Sequence, residues 1–322
     1  MVKNADSNRA AVGSVWLAFD DAWDFGASPS FEPLVRVDAR EAGPSLRFMA
    51  SKRAIERFYG DFADSLRPFI LSGSGDFHHL TAIFIRQVKV PFVILSFDNH
   101  PDWDVRPPFW SCGAWVNRAL ENPLVKQIAV WGCGSFECRL PWRLLGNRSA
   151  CRSGRLWVAP WRSEGDDYPS WLHPMSTLDW RAAFARYVES VGTFPVYVTV
   201  DLDSLAESDA ITNWENGRFS LSDIVWAIGL LRQKSLIIGG DLCGAFSPAR
   251  YGSWFQALAG RFDHPRPRVF SDSERRAVNL HALKVIWPSL VGENLSDENS
   301  RNQEVKNSRL TDSPQQIGRA HV

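Results

Sequence analysis

Two short apolar runs, each ending abruptly in carboxylates, constrain this chain more than anything else in it. Residues 91–97 (Pro-Phe-Val-Ile-Leu-Ser-Phe) run into Asp98, Asn99, His100, Pro101 and Asp102, and residues 194–200 (Phe-Pro-Val-Tyr-Val-Thr-Val) run into Asp201, Leu202 and Asp203. Apolar runs this short, rich in β-branched and aromatic residues, read as fully buried strands of a parallel sheet. In open α/β sheets the carboxyl ends of such strands are where ligands bind. Residues at i, i+2 and i+4 of an extended segment point the same way. Asp98, His100 and Asp102 have that spacing, as do Asp201 and Asp203, so each segment can aim its ligands at one cavity. Close carboxylates repel unless a cation neutralises them. Oxygen ligands with one or two imidazoles suit Mn²⁺-type ions.

A third run, 68–71, precedes Ser72-Gly73-Ser74-Gly75-Asp76-Phe77-His78-His79, whose glycines permit a tight turn. A histidine at that turn supplies a further nitrogen ligand, either His78 or His79. Further strands are expected at 15–19, 127–131, 156–159 and 235–238. Helices are expected at 51–66, 178–191 and 221–233, the last capped by Ser220 or Ser222. This alternation predicts an α/β fold with a mainly parallel central sheet between helical layers. At 322 residues the chain is long enough for one large domain, placed here at 1–291. The segment 142–171, irregular and rich in Trp, Arg, Ser and Gly, reads as a loop-rich insertion. The polar tail 292–322 reads as disordered, and 316–322 resemble a translated sequencing adapter, so they are taken as non-native.

Lys and Arg number 36 and so do Asp and Glu, a zero formal charge that argues against a nucleic-acid or anionic-membrane partner. Five scattered cysteines without paired spacing point to reduced thiols and a cytoplasmic protein. No apolar stretch is long enough for a membrane span, and 10–19 is read as a first strand rather than a signal.

The three segments, in this order and at strand ends, resemble the ureohydrolase family of arginase, agmatinase and formiminoglutamase. That family carries a Gly-Gly-Asp-His-Ser turn, an Asp-x-His-x-Asp loop and a later Asp-x-Asp, and the similarity covers about 68–248. The resemblance implies a three-layer α/β/α sandwich of arginase type. It implies two Mn²⁺ ions held by His78, Asp98, His100, Asp102, Asp201 and Asp203. It also implies hydrolysis of a C–N bond in a guanidino or amidino compound by a metal-bridging hydroxide, releasing urea or a related product. Asp102 would orient the nucleophile and take its proton.

Two positions depart from the pattern. Cys112 stands where agmatinase-like enzymes have a catalytic histidine, and Gly244 where they have a carboxylate for the guanidinium. A general acid must then be Cys112 or another group, with His173, His264 and His281 as alternatives. Asp104, Glu137 and Asp241 are assigned to substrate binding, where carboxylates favour a cationic group; Asp241 reads equally well as a turn residue. Trp103, Trp110 and Trp115 flank the metal loop as candidate pocket walls. The expected substrate is a small guanidino or amidino compound or a peptide-borne arginine, and the resemblance implies a homo-oligomer. The alternatives are a metal-stabilised binding protein or pseudoenzyme of the same fold, and a deacetylase-like amide hydrolase.

Overall fold

A computed structural model of the chain describes residues 13–24, 34–163, 165–265 and 269–292. In chain order the elements are β1 (Ser14–Ala18), β2 (Leu34–Asp38), α1 (Gly43–Leu46), α2 (Lys52–Phe62), β3 (Phe69–Leu71), α3 (Thr81–Phe84), β4 (Phe92–Phe97) and α4 (Trp115–Leu120). They continue with β5 (Val125–Cys133), α5 (Arg148–Arg152), β6 (Leu156–Pro160), α6 (Trp180–Val191), β7 (Val196–Asp201), α7 (Leu221–Lys234), β8 (Ile237–Cys243), α8 (Trp254–Asp263) and α9 (Asp272–Val291). The eight strands form one sheet in the order β2-β1-β3-β8-β7-β4-β5-β6, and every pairing is parallel.

Strand alternation divides the core. Val93, Leu95 and Phe97 of β4 and Val196, Val198 and Val200 of β7 point into a cluster completed by Phe184 of α6, Ile228 of α7 and Ile286 of α9. Phe92 and Ile94 point to the opposite face, against Val116 and Ala119 of α4. On that same side Ile70 packs with Ile55 and Phe58 of α2 and Ile83 of α3. Both faces of the central strands are thus buried, as a parallel sheet requires. Ser220 caps α7 in a reciprocal capping box with Asp223, and Ser271 does the same for α9 with Glu274.

The expected strands all form, each within a few residues of its expected bounds. The segment 142–171 is more than a surface loop: it carries α5 and the edge strand β6. The sequence reading missed β2, α8 and α9. Residues 293–322, including the tail, lie outside the described residues. No helix among the described residues is long and apolar enough to cross a membrane.

The strands that carry the motifs, β3, β8, β7 and β4, are consecutive neighbours in the sheet. Their carboxyl ends therefore meet in one place, although β4 and β7 are far apart in sequence.

Candidate metal centre

The backbone leaves β4 directly into Asp98, whose Oδ1 accepts from the His100 amide at 2.7 Å. Asp201 ends β7 and its Oδ1 accepts from the Asp203 amide at 3.0 Å. These local bonds hold each loop in the ligand-presenting conformation. The Asn99 amide donates to Asp203 Oδ1 at 3.0 Å, tying the two loops together. After β3 the chain makes a 3₁₀ turn, Gly75–Leu80, which brings His78 inward.

His78 Nδ1 stands 3.0 Å from Asp98 Oδ2, 3.4 Å from Asp102 Oδ2 and 3.5 Å from Asp201 Oδ2. His100 Nδ1 stands 2.8 Å from Asp203 Oδ2 and 3.8 Å from Asp98 Oδ1. Three groups of donors result: His78–Asp98–Asp102 and Asp98–His100–Asp203, which share Asp98, and His78–Asp241–Cys243 on the other side of the His78 ring. All four aspartates are buried. Asp98 Oδ2 has no hydrogen-bond donor despite lying so close to His78. Around an octahedral ion with bonds of about 2.1 Å, adjacent ligand atoms stand about 3.0 Å apart. The donors are close enough together to hold a cation between them, and the hard oxygen and imidazole set fits Mn²⁺-type ions.

The layer beneath orients His78. Its Nε2 lies 2.9 Å from Thr199 Oγ1, and that hydroxyl donates to Asp241 Oδ1 at 2.8 Å. Thr199's one proton is spent on Asp241, so its oxygen receives Nε2–H of His78. Nδ1 is left as the nitrogen facing the aspartates, the arrangement by which outer partners fix a metal-binding imidazole. Asp241 also accepts from Thr81 at 3.0 Å. It is therefore a support below His78, and it is absent from the residues lining the cavity; this corrects its assignment to substrate binding. On the far side Trp115 Nε1 donates to Asp102 Oδ2 at 2.6 Å, and the Cys243 thiol donates to Asp201 Oδ2 at 3.4 Å.

The electrostatics call for positive charge. Burial, then the charges of Asp102 and Asp203, push the Asp98 carboxyl well above the usual range. Burial and then Asp203 push Asp201 up to about 7. Burial opposes protonation of His78, but the Asp102, Asp98 and Asp201 carboxylates facing its ring outweigh it and raise the imidazole well above its ordinary value. His79, by contrast, makes no side-chain hydrogen bond, and burial pulls it down to about 3. The structure thus puts His78, and not His79, among the aspartates.

The six proposed ligands line one cavity together with Gly75, Cys112, Gly113, Phe136, Glu137, Trp214, Glu215 and Asp263. Cys112 is on the wall, but burial and then Asp102 push its thiol far up, so it stays protonated at neutral pH. Glu137 also faces the cavity, and burial pushes it up to about 7. Asp104 does not face it: its carboxylate is engaged by Arg106, with Nε 3.0 and 3.1 Å from its two oxygens, in an outer groove.

Gly244 sits at φ +102°, and a Cβ there would overlap Asp201 Oδ1 and the Leu202 amide. No carboxylate can be mounted at this position without displacing a ligand. Glu215 and Asp263 supply acidity from elsewhere, and neither carried a motif. Asn99 reaches both flanking loops, donating to the Glu215 carbonyl at 2.9 Å and accepting from the Gly134 amide at 3.0 Å.

The tryptophan expectation is corrected in part. Trp214, unforeseen, walls the inner cavity, edge-on to His100 at 5.4 Å. Trp115 lies behind Asp102, Trp103 lines the outer groove, and Trp110 packs into the core. The alternative histidines are not on the wall. His264 pairs with the buried Asp76 at 2.7 Å, His173 stacks on Trp157, and His281 is exposed on α9. Asp76 also binds Arg47 at 2.7 Å, and Arg47 reaches Asp20 at 3.3 Å. This buried ionic network was not read from the sequence.

No family model matches the chain. An uncharacterized protein of Thermotoga maritima is 31% identical over 182 residues, and that match spans 56% of this chain and 58% of that relative's length. Among solved structures, a formiminoglutamase variant of Trypanosoma cruzi with Mn²⁺ superposes with a TM-score of 0.51 over 88% of this chain and 96% of that one, at 14% identity. A hypothetical agmatinase of Burkholderia thailandensis superposes with a TM-score of 0.46 over 85% of this chain and 87% of that one, at 18% identity. A parallel sheet layered between helices, matched over nearly the whole of the first of these structures, is the arginase-like fold of the ureohydrolases, and this chain has it.

Proposed function

We propose that the protein is a hydrolase of a C–N bond in a guanidino or amidino compound, acting at a binuclear Mn²⁺-type centre and releasing urea or a related product. The observation that carries this reading is the pair of donor groups sharing Asp98. His78, Asp98, Asp102 and Asp201 would hold one ion, and Asp98, His100, Asp201 and Asp203 the other. Two such ions, when bound, supply a nucleophilic hydroxide at neutral pH and offset the charge that develops on attack.

The chain's own residues supply the rest. Glu137, Glu215 and Asp263 accept the N–H groups of a planar cation, and no Lys or Arg is among the described residues lining the inner cavity. A leaving amine needs a proton. Glu137, held near neutrality by burial, suits that donor role, whereas the Cys112 thiol stays protonated and serves as wall. The expected partner is a small guanidino or amidino molecule or a peptide-borne arginine, and the expected setting is cytoplasmic. One observation favours a second reading, a metal-stabilised binding protein: neither Cys112 nor Gly244 offers the usual catalytic group at its position.

Metal content after Mn²⁺ loading tests the proposal, measured by elemental mass spectrometry on wild type and Asp98→Ala/Asp203→Ala. Two ions per chain, lost in the double variant, with urea released from a guanidino panel, is the expected result. Properly folded wild type without bound metal would end the reading. Two ions without turnover of any panel compound would favour the binding protein.

A further inference from the structure

The inner cavity is small, about 50 Å³, and opens into a groove of about 490 Å³. The two share Cys112, Gly113, Phe136, Glu137 and Asp263 as walls. On this measure one water needs about 10–15 Å³, so the inner space holds the equivalent of a few waters, room for a planar head group. The inner cavity also shares Phe136 and Glu215 with a smaller cleft lined by Arg218, so a substituent on the head group has two ways out, of which the groove is the roomier.

The two spaces differ in chemistry. The inner one is acidic, with Glu137, Glu215 and Asp263 beside the aspartate cluster. The groove is mixed: Met49, Trp103, Pro107, Pro108, Trp142 and Phe262 give it an apolar wall, facing Asp104, Arg106, Glu137 and Asp263. Phe136, at the junction, is 51% exposed, Trp142 47% and Phe262 82%. Phe136 and Trp142 meet edge to face with ring centroids 5.4 Å apart, forming an open aromatic shelf. Scattered exposed apolar residues are ordinary, but several together at the mouth of a cavity mark a binding surface. Among the described residues lining the groove the one basic residue, Arg106, is occupied by Asp104. A carboxylate on a tail in this groove would therefore meet Glu137 and Asp263 without an available cation among the described lining residues.

We propose that the substrate is a guanidinium or amidinium joined to an aromatic or branched apolar tail without a carboxylate, the head in the inner cavity and the tail over the Phe136–Trp142 shelf. The identification as substrate rests on the hydrolase reading, whereas the binding geometry does not. Free arginine, with its zwitterionic end, is a poor fit to this groove.

The test is calorimetric titration of the full-length, Mn²⁺-loaded protein with 4-phenylbutylguanidinium and n-butylguanidinium. Wild type is expected to bind the phenyl compound at least about tenfold more tightly. In Trp142→Ala and Phe262→Ala, both at exposed positions, that ratio should fall toward one. Equal binding of the two ligands by wild type, binding of neither, or a ratio that survives both substitutions would overturn the proposal. Sedimentation of the same samples covers another occupant: an oligomer that Trp142→Ala converts to monomer makes the shelf a subunit interface, and the proposal falls. Urea release from the same ligands is read separately. Selective binding with no urea keeps the groove assignment and removes the hydrolase reading.

Discussion

Asp98→Asn is the perturbation that most sharply separates a metal site from a structural acidic cluster, because the two cases predict opposite signs. The asparagine side chain would keep the acceptor for the His100 amide, which Asp98 Oδ1 now receives at 2.7 Å. Its NH₂ would replace Oδ2, an atom with no donor at present, and would face His78 Nδ1, now 3.0 Å away. The substitution therefore fits sterically and removes one buried negative charge. Without metal that charge is costly: burial and the charges of Asp102 and Asp203 hold the Asp98 carboxyl well above its usual range. A like charge at about 4 Å costs about 4 kcal/mol at an effective dielectric of 20, part of which the nearby imidazoles offset. A net gain of about 1–3 kcal/mol is expected in chelator-treated protein, a rise of about 2–6 °C in melting temperature.

With Mn²⁺ the sign reverses. A ligand at 100 times its dissociation constant stabilises the native state by about 2.7 kcal/mol per independent site. Asp98 is common to both donor groups, and an amide nitrogen cannot replace its second oxygen. Asp98→Asn should lose most of the Mn²⁺-induced rise. Scanning calorimetry with chelator and with a Mn²⁺ series reads both effects. If the variant melts lower than wild type in chelator, or keeps the full Mn²⁺ increment, the shared-carboxylate argument is wrong.

Three further outcomes follow from the same geometry. Asp201 is pushed up to about 7, and a carboxyl raised in the folded state contributes stability below its unfolded value that is lost as pH rises through the folded one. The raised imidazoles of His78 and His100 act in the same direction. Metal-free protein should thus lose melting temperature from about pH 4 to about pH 8, while Mn²⁺ stabilisation grows over that range as protons cease to compete; a flat metal-free profile would contradict the assignment. Thr199→Val removes the acceptor that fixes His78, and Mn²⁺ affinity by titration should fall about 10–100-fold, with an unchanged affinity refuting the tautomer argument. Arg47→Met leaves Asp76 buried with one cationic partner fewer, and urea unfolding should show a loss of about 3–5 kcal/mol; a loss under about 1 kcal/mol would mean that His264 suffices.

Much of this molecule is legible in its sequence because the relevant signals are local. A strand buried on both faces must be a short apolar run, and the chain can make β4 and β7 in no other way. The i, i+2 and i+4 spacing likewise makes Asp98, His100 and Asp102 visible as a set. Elements with weaker local signatures escaped. β2 has no fully buried residue at the sheet edge, so it shows no apolar run. α9 buries Arg275 and Asn279 on its inner face, which blurs the helical period. α8 was not foreseen either, although it brings Asp263 to the cavity.

What the sequence determined by itself was the kind of fold and a spaced set of candidate ligands, since strand burial and residue spacing are set by neighbouring residues. Tertiary structure alone decided the rest. It selected His78 over His79, because only the 3₁₀ turn after β3 settles which imidazole faces Asp98. It moved Asp241 beneath the site and Asp104 onto Arg106, and it brought Trp214 and Glu215 from a loop and Asp263 from the end of α8 to the wall. It also closed position 244 to any side chain through the approach of Asp201. The physical reason is one of range: a strand or a spaced ligand set is fixed over a few residues, whereas a cavity wall is fixed by which distant loops the sheet order brings side by side.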